Sequence, residues 1–137
     1  MRVRLISHQN WALVEKVDSS GAGEVSSFLQ SLGANKQREA TRMTALLDRV
    51  AAQGPRQGTA KCHKIQGDIW ELIQGSLRIL FAHDGHQLIV CTTGFIKKTQ
   101  KTPKAEIKHA ERTLAEFREA RSSKRLEWVE DKQKDEQ

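Results

Sequence analysis

A cluster of lysines is the feature of this sequence best suited to chemistry. Lys97, Lys98 and Lys101 lie within the stretch 95–103, and Glu106 is the first carboxylate that follows them. Ammonium groups gathered in this way bind anions, and a chain with a net charge of +6 favours phosphate among them. The alternative interpretation is a solvated basic loop that contributes only to solubility.

The elements on either side of the lysines would hold them in place. Residues 88–94 are apolar and rich in β-branched side chains, which predicts a strand. After the lysines, Thr102 is a suitable N-cap, and Pro103 suits the first helical position because it lacks the N–H that would be unpaired there. The unpaired N–H groups of a helix start also favour an anion.

A second candidate is an arginine inside an apolar strand. Arg78 follows Leu77 and precedes the apolar run 79–81. A buried arginine is costly unless its guanidinium finds an acceptor, and Glu71 on the predicted neighbouring strand is the obvious partner. Such a pair would be purely structural, or it would orient Arg78 until an anionic ligand arrives.

The hydrophobic pattern predicts an α+β fold. Two helices follow a first strand at 11–17, and their apolar positions are spaced at helical intervals; in the second helix these are Ala40, Met43, Leu47 and Val50. Strands are then predicted at 59–65, 68–74, 77–82 and 88–94, with a type I′ turn at Asp84-Gly85. The last helix places Ile107, Ala110, Leu114 and Phe117 on one face. Helices segregated from an antiparallel meander are typical of the α+β class.

The 137 residues predict a single domain with polar ends. We expect residues 1–10 to be an N-terminal extension, residues 11–118 to be the folded domain and residues 119–137 to be a charged tail. The tail would extend the last helix, docking through Leu126, Trp128 and Val129, or would be disordered.

Composition argues for a cytoplasmic protein without a cofactor. No signal peptide or membrane-length apolar stretch is present, and Cys62 and Cys91 form no spacing typical of a secreted scaffold or a zinc site. The sequence also lacks the G-x-x-x-x-G-K-[ST] loop of nucleotide-binding proteins, a nucleophile elbow and a dinucleotide-binding fingerprint.

The stretch Gly94-Phe95-Ile96-Lys97-Lys98-Thr99-Gln100-Lys101-Thr102-Pro103 resembles the G-F-x-K-K-T-x-K-T-P signature of phage-derived, HigB-like members of the RelE/ParE toxin superfamily. Upstream blocks agree in their order and run from about Trp11 to Phe117. They are Ser20-Gly21, Phe28-Leu29, Trp70-Glu71-Leu72 and Leu77-Arg78-Ile79-Leu80-Phe81.

The resemblance implies a RelE-like fold and the toxin of a type II toxin–antitoxin pair. Such a toxin would cut mRNA in the ribosome and would be inhibited by an antitoxin with a helix-turn-helix domain. Arg78 matches the arginine that RelE-like nucleases direct at the scissile phosphate. In cleavage by 2′-OH attack without a metal, Glu71 would be the base, and Lys97 or Lys98 would assist the leaving group. Lys61, Lys64, Lys101 and Lys104 are the further candidates for RNA binding.

Two departures keep other functions open. Relatives commonly have Glu-Leu-Arg where this chain has Glu71-Leu72-Ile73, and many use a C-terminal tyrosine or histidine pair, whereas this chain has no tyrosine and places His109 inside the last helix. Lys61, His63 or Lys64 would then compensate from the preceding strand. The alternatives are a non-catalytic toxin that binds another target, as the ParE branch binds gyrase, and a basic RNA-binding phage accessory protein.

Overall fold

The computed structural model describes residues 1–56 and 61–130. The first residues of the predicted strand 59–65 and the end of the charged tail lie outside the described residues. The described residues contain three α-helices and seven strands, and the strands are β1 (Arg2–His8), β2 (Ala12–Val17), β3 (Cys62–Gln66), β4 (Ile69–Gln74), β5 (Leu77–His83), β6 (Leu88–Ile96) and β7 (Glu127–Trp128).

Strands of this part of the chain form one seven-stranded sheet in the order β3-β4-β5-β6-β2-β1-β7. Consecutive strands from β3 to β6 are antiparallel, which confirms the predicted meander. β2 lies parallel to β6 and joins the N-terminal strand pair to the meander.

Three α-helices cover the two faces of this sheet. They are α1 (Glu24–Gln30), α2 (Gln37–Gln53), which follows a short 3-10 turn at Ala34–Lys36, and α3 (Lys104–Ser122). The observed order of two strands, two helices, a four-stranded meander, a helix and a short last strand confirms the predicted α+β class, although the sheet is larger than predicted.

The face covered by α1 and α2 is one half of the core. The predicted apolar stripe of α2 is buried there at Met43, Leu47 and Val50. This helix stops at Gly54, whose φ of 82° favours glycine.

The opposite face carries α3, which we call the α3 face. The predicted stripe is buried against strand residues that include Leu80 and Val90; its members are Ile107, Ala110, Leu114 and Phe117. The candidate site described below also lies on this face, at the end of the sheet where α3 begins.

Both ends of the described chain enter the sheet. Residues 1–10, treated above as an extension, contain strand β1, because Val3 is fully buried among apolar side chains of the α3 face. The first residues of the predicted tail continue α3 as far as Ser122, and Glu127–Trp128 then pairs with β1 as strand β7. Trp128 itself is largely exposed, whereas Leu126 packs against the core.

The predicted type I′ turn at Asp84-Gly85 is wrong, although the hairpin is present. Four residues, 84–87, connect β5 to β6, and positive φ occurs at Gly85 and Gln87 rather than at Asp84. Side-chain contacts explain the difference: Arg118 and Arg121 of α3 donate to the Asp84 carboxylate at 3.1 and 2.8 Å.

A buried carboxylate holds the start of α1. Glu15 on β2 accepts hydrogen bonds from the backbone N–H groups of Val25 and Ser26, both at 2.9 Å, and pairs with Arg4 at 3.3 Å. Because Gly23 has no Cβ, this carboxylate can approach the helix closely.

The glycine of the lysine-rich signature has a packing role. A Cβ added at Gly94 on β6 would overlap the ring of Phe28 on α1. Gly94 therefore lets α1 lie directly on the strand that leads to the lysines.

Candidate active site

The centre of the candidate site is the carboxylate of Glu71. Its side chain has 0% exposure, although it lies on β4, the second strand from the edge of the sheet. Cross-strand neighbours are His63 on β3 and Leu80 on β5. Since paired residues share a face of a sheet, all three lie on the α3 face.

The hydroxyl of Thr102 donates a hydrogen bond to Glu71 Oε2 at 2.7 Å. The prediction that Thr102 caps α3 is therefore wrong: Pro103 occupies the N-cap position, and no side chain there caps the helix. The hydroxyl is used instead to satisfy a carboxylate that water does not reach.

Arg78 approaches the other oxygen of the same carboxylate. Its Nε lies 3.8 Å from Glu71 Oε1, and the side chain is 13% exposed, so the ion pair predicted from the sequence is present. Arg78 Nη1 donates to the carbonyl oxygens of Gly75 at 2.7 Å and Leu77 at 2.9 Å, which ties the guanidinium to the β4–β5 turn. In the described part of the chain, neither Arg78 Nε nor Glu71 Oε1 has a hydrogen-bond partner.

The lysine loop, residues 97–102, crosses the end of the sheet beside these groups. It starts where Lys97 N–H donates to the carbonyl of Ser76 at 2.8 Å, next to the turn that holds Arg78. It finishes at the hydrogen bond between Thr102 and Glu71, two strands away, which is a distance on the order of 10 Å. Both ends of the loop are thus attached near Arg78.

The four lysines of this segment differ in exposure. Lys97 is half-buried, whereas Lys98, Lys101 and Lys104 are exposed. Lys104 is the first residue of α3.

The two further lysines predicted to bind RNA, Lys61 and Lys64, lie at different places relative to β3. Lys64 pairs with Trp70 and therefore lies on the face opposite to Glu71, so it does not join this site. Lys61 lies just before β3, where its carbonyl accepts a hydrogen bond from Ile73 N–H at 2.9 Å.

His63 is the residue that sequence reasoning underestimated. Its Nε2 lies 3.3 Å from Glu71 Oε1, and 46% of its side chain is exposed. A signal was available, because hairpin pairing brings some residue of β3 opposite Glu71. That residue is His63 because the register shifts between Lys64 and Gln66.

Other titratable groups lie outside this cluster. His109 bonds to Glu24 of α1 at 2.8 Å. Cys62 and Cys91 are buried free thiols, and burial raises the pKa of each. Among residues 1–56 and 61–130, no group of three or more His, Cys, Asp or Glu side chains is arranged to hold a metal ion. No helix in those ranges is both long and apolar enough to cross a bilayer.

The arrangement suits the binding of an anion whose charge increases during a reaction. A guanidinium and an imidazole flank one buried carboxylate, and exposed ammonium groups follow on the adjoining loop. Such groups stabilise a phosphate and its transition state.

Comparison with known proteins identifies the family of the chain. No curated protein matches the chain significantly. The family model for phage-derived Gp49-like proteins (DUF891) matches residues 27–115, about two thirds of the 137-residue chain, and the match includes β3 to β6, the lysine loop and most of α3. The chain therefore belongs to the Gp49-like family of phage-derived proteins, which is part of the RelE/HigB-like toxin family.

Proposed function

We propose that this protein is the toxin of a type II toxin–antitoxin pair and that it stops translation by cutting mRNA in the ribosome. The observation that carries the proposal is the attachment of the lysine loop beside the Arg78–Glu71 pair, which gathers cationic groups at one end of the sheet. The toxin family to which the chain belongs supports the same proposal.

Charge stabilisation is the chemistry that these residues supply. When a ribose 2′-OH attacks the adjacent phosphate, additional negative charge develops on the phosphoryl oxygens. Arg78, fixed by two backbone carbonyls, would face that charge, and Lys97 or Lys98 would stabilise the departing 5′-oxygen. Lys101 and Lys104 are exposed on the same segment and would bind neighbouring phosphates.

Two partners follow from the proposal. The ribosome would hold mRNA in a reactive geometry, and a small protein benefits from such positioning. A toxin of this family implies an antitoxin, and we propose one with a helix-turn-helix domain. Both partners would be met in the cytoplasm.

Cell-free translation followed by primer extension on the mRNA tests the proposal. We expect the isolated protein to produce discrete cleavages that depend on the ribosome, and we expect Arg78→Lys and Lys98→Ala to reduce them strongly. Lys108→Ala is the matched control, because it removes one exposed lysine of α3 outside the lysine loop and should leave cleavage unchanged. Thermal melts of each variant distinguish loss of chemistry from loss of fold.

Intact mRNA at stoichiometric protein, with translation unaffected, would reject the nuclease. If expression of the gene nevertheless arrested growth, a non-catalytic toxin with another target would be the better explanation. Normal growth would instead favour a phage accessory protein.

A further inference from the structure

A carboxylate in an RNA-cleaving site is an obvious choice for the general base, but the geometry argues against Glu71 in that role. Its side chain has 0% exposure, and Thr102 occupies Oε2. A ribose hydroxyl must come within hydrogen-bond distance of the base that deprotonates it. In this arrangement the carboxylate has no surface at which that contact can occur.

His63 has the exposure that Glu71 lacks. Its side chain is 46% exposed while its Nε2 lies 3.3 Å from Glu71 Oε1. Glu71 Oε1 has no hydrogen-bond partner among residues 1–56 and 61–130, so this 3.3 Å approach is a close contact of the two groups and not a formed hydrogen bond. A histidine with one nitrogen turned to a buried carboxylate keeps the other nitrogen, Nδ1, available for proton transfer.

We propose that His63 is the catalytic base of the cleavage reaction and that Glu71 is a positioning residue for both His63 and Arg78. This inference rests on the proposed function. Glu71 Oε1 lies between the two basic side chains, at 3.3 Å from one and 3.8 Å from the other, so a single buried carboxylate orients the proton acceptor and the charge stabiliser together. The Thr102 hydrogen bond holds that carboxylate in turn.

In the proposed reaction the ribose 2′-oxygen attacks the adjacent phosphorus. The 2′-O–H bond breaks and its proton passes to Nδ1 of His63, while the 2′-oxygen uses the freed electron pair to form a bond to phosphorus. The bond between phosphorus and the 5′-oxygen breaks, its electron pair stays on the 5′-oxygen, and an ammonium group of Lys97 or Lys98 protonates it. The products carry a 2′,3′-cyclic phosphate and a 5′-hydroxyl, and neither an oxidant nor a metal takes part.

The test uses the full chain in the ribosome-dependent cleavage assay, with single-turnover rates. His63→Ala should lower the rate by on the order of 10² to 10⁴, the usual contribution of a general base. Free imidazole should restore part of this rate. His63→Gln keeps an N–H donor for Glu71 but cannot accept the proton, so it should be as slow as His63→Ala.

Glu71→Gln separates positioning from binding. We expect a loss on the order of 10-fold to 100-fold in the maximal rate, as for other groups that orient a functional histidine. The protein concentration at half-maximal rate should stay unchanged. The matched control is His109→Ala, which removes a second histidine–glutamate pair (His109 with Glu24, 2.8 Å) and should change the rate by less than about threefold.

The outcomes separate the two proposals. Absence of cleavage by the wild-type chain overturns both the nuclease and this inference. Wild-type cleavage with His63→Gln at a comparable rate, or a His63→Ala variant that folds and that imidazole does not rescue, overturns this inference and leaves the nuclease intact. Slow His63 variants, rescue by imidazole and cyclic phosphate ends support it.

Discussion

The hydrogen bond between Thr102 and Glu71 should contribute measurably to the stability of the whole domain. Thr102→Val replaces the hydroxyl with a methyl group of similar size and leaves the buried carboxylate without this donor. Hydrogen bonds to charged groups contribute about 1.5–3 kcal/mol, and water cannot replace the lost donor because Glu71 is fully buried. We therefore expect the free energy of unfolding to fall by about 2 kcal/mol.

Urea denaturation is the appropriate assay. With a slope of about 2 kcal/mol per M, a loss of about 2 kcal/mol moves the midpoint by about 1 M. The matched control is Thr99→Val: Thr99 lies in the same loop, but its hydroxyl bonds to the carbonyl of Lys101 in an exposed position. Since water replaces a lost exposed hydrogen bond, the control should change stability by less than about 0.5 kcal/mol.

A second measurement addresses the loop directly. Thr102 fastens the end of the lysine loop to the sheet, so Thr102→Val should increase the rate of tryptic cleavage after Lys97, Lys98 or Lys101 under native conditions. If the urea midpoint of Thr102→Val coincided with that of Thr99→Val, and tryptic cleavage were unchanged, the hydrogen bond would not hold the site and the reasoning would be wrong.

Three further predictions concern the fold. Glu15→Gln should cost about 3 kcal/mol by weakening the buried anchor of α1, whereas the half-exposed Glu116→Gln should cost less than about 1 kcal/mol in the same denaturation experiment. Gly94→Ala should cost about 1–3 kcal/mol by overpacking the sheet against α1, and Gly33→Ala, which has an ordinary negative φ, should be close to neutral. Burial lowers the pKa of His83 below its ordinary 6.5, so the unfolded chain binds that proton more readily. Stability should therefore fall as pH drops below about 6.5, and His83→Leu should show a flatter dependence; an equally steep loss in the variant would exclude His83 as its cause.

Much of the architecture was predictable because it depends on local periodicity. The stripe of α3 repeats at helical spacing, and the strands of the meander alternate or are uniformly apolar, so both elements follow from which side chains must avoid water. β1 and β7 were missed for the opposite reason. β1 carries two arginines and no regular apolar alternation, and β7 has only two residues. Each is a strand because the backbone of β1 hydrogen-bonds to its neighbours on both sides.

The candidate site was predictable in part. The order of residues 94–103 indicated the family, and an arginine in an apolar strand indicated an ion pair with Glu71, which is present at 3.8 Å. The hydrogen-bond acceptors of Arg78 are instead the carbonyl oxygens of Gly75 and Leu77. The hydrogen-bond acceptor of the Thr102 hydroxyl could not be predicted, because a threonine hydroxyl can cap a helix or donate to a buried carboxylate equally well.

The pairing of β3 with β4 contains a register shift that only the folded structure reveals. Sequence determines that β3 and β4 form a hairpin and that Glu71 lies within it. A regular ladder continued from the pair Gln66 and Ile69 would place Lys64 opposite Glu71, but the shift in register places His63 there. Because successive side chains of a strand point to opposite faces, this displacement by one residue moves an imidazole into the site and a lysine out of it.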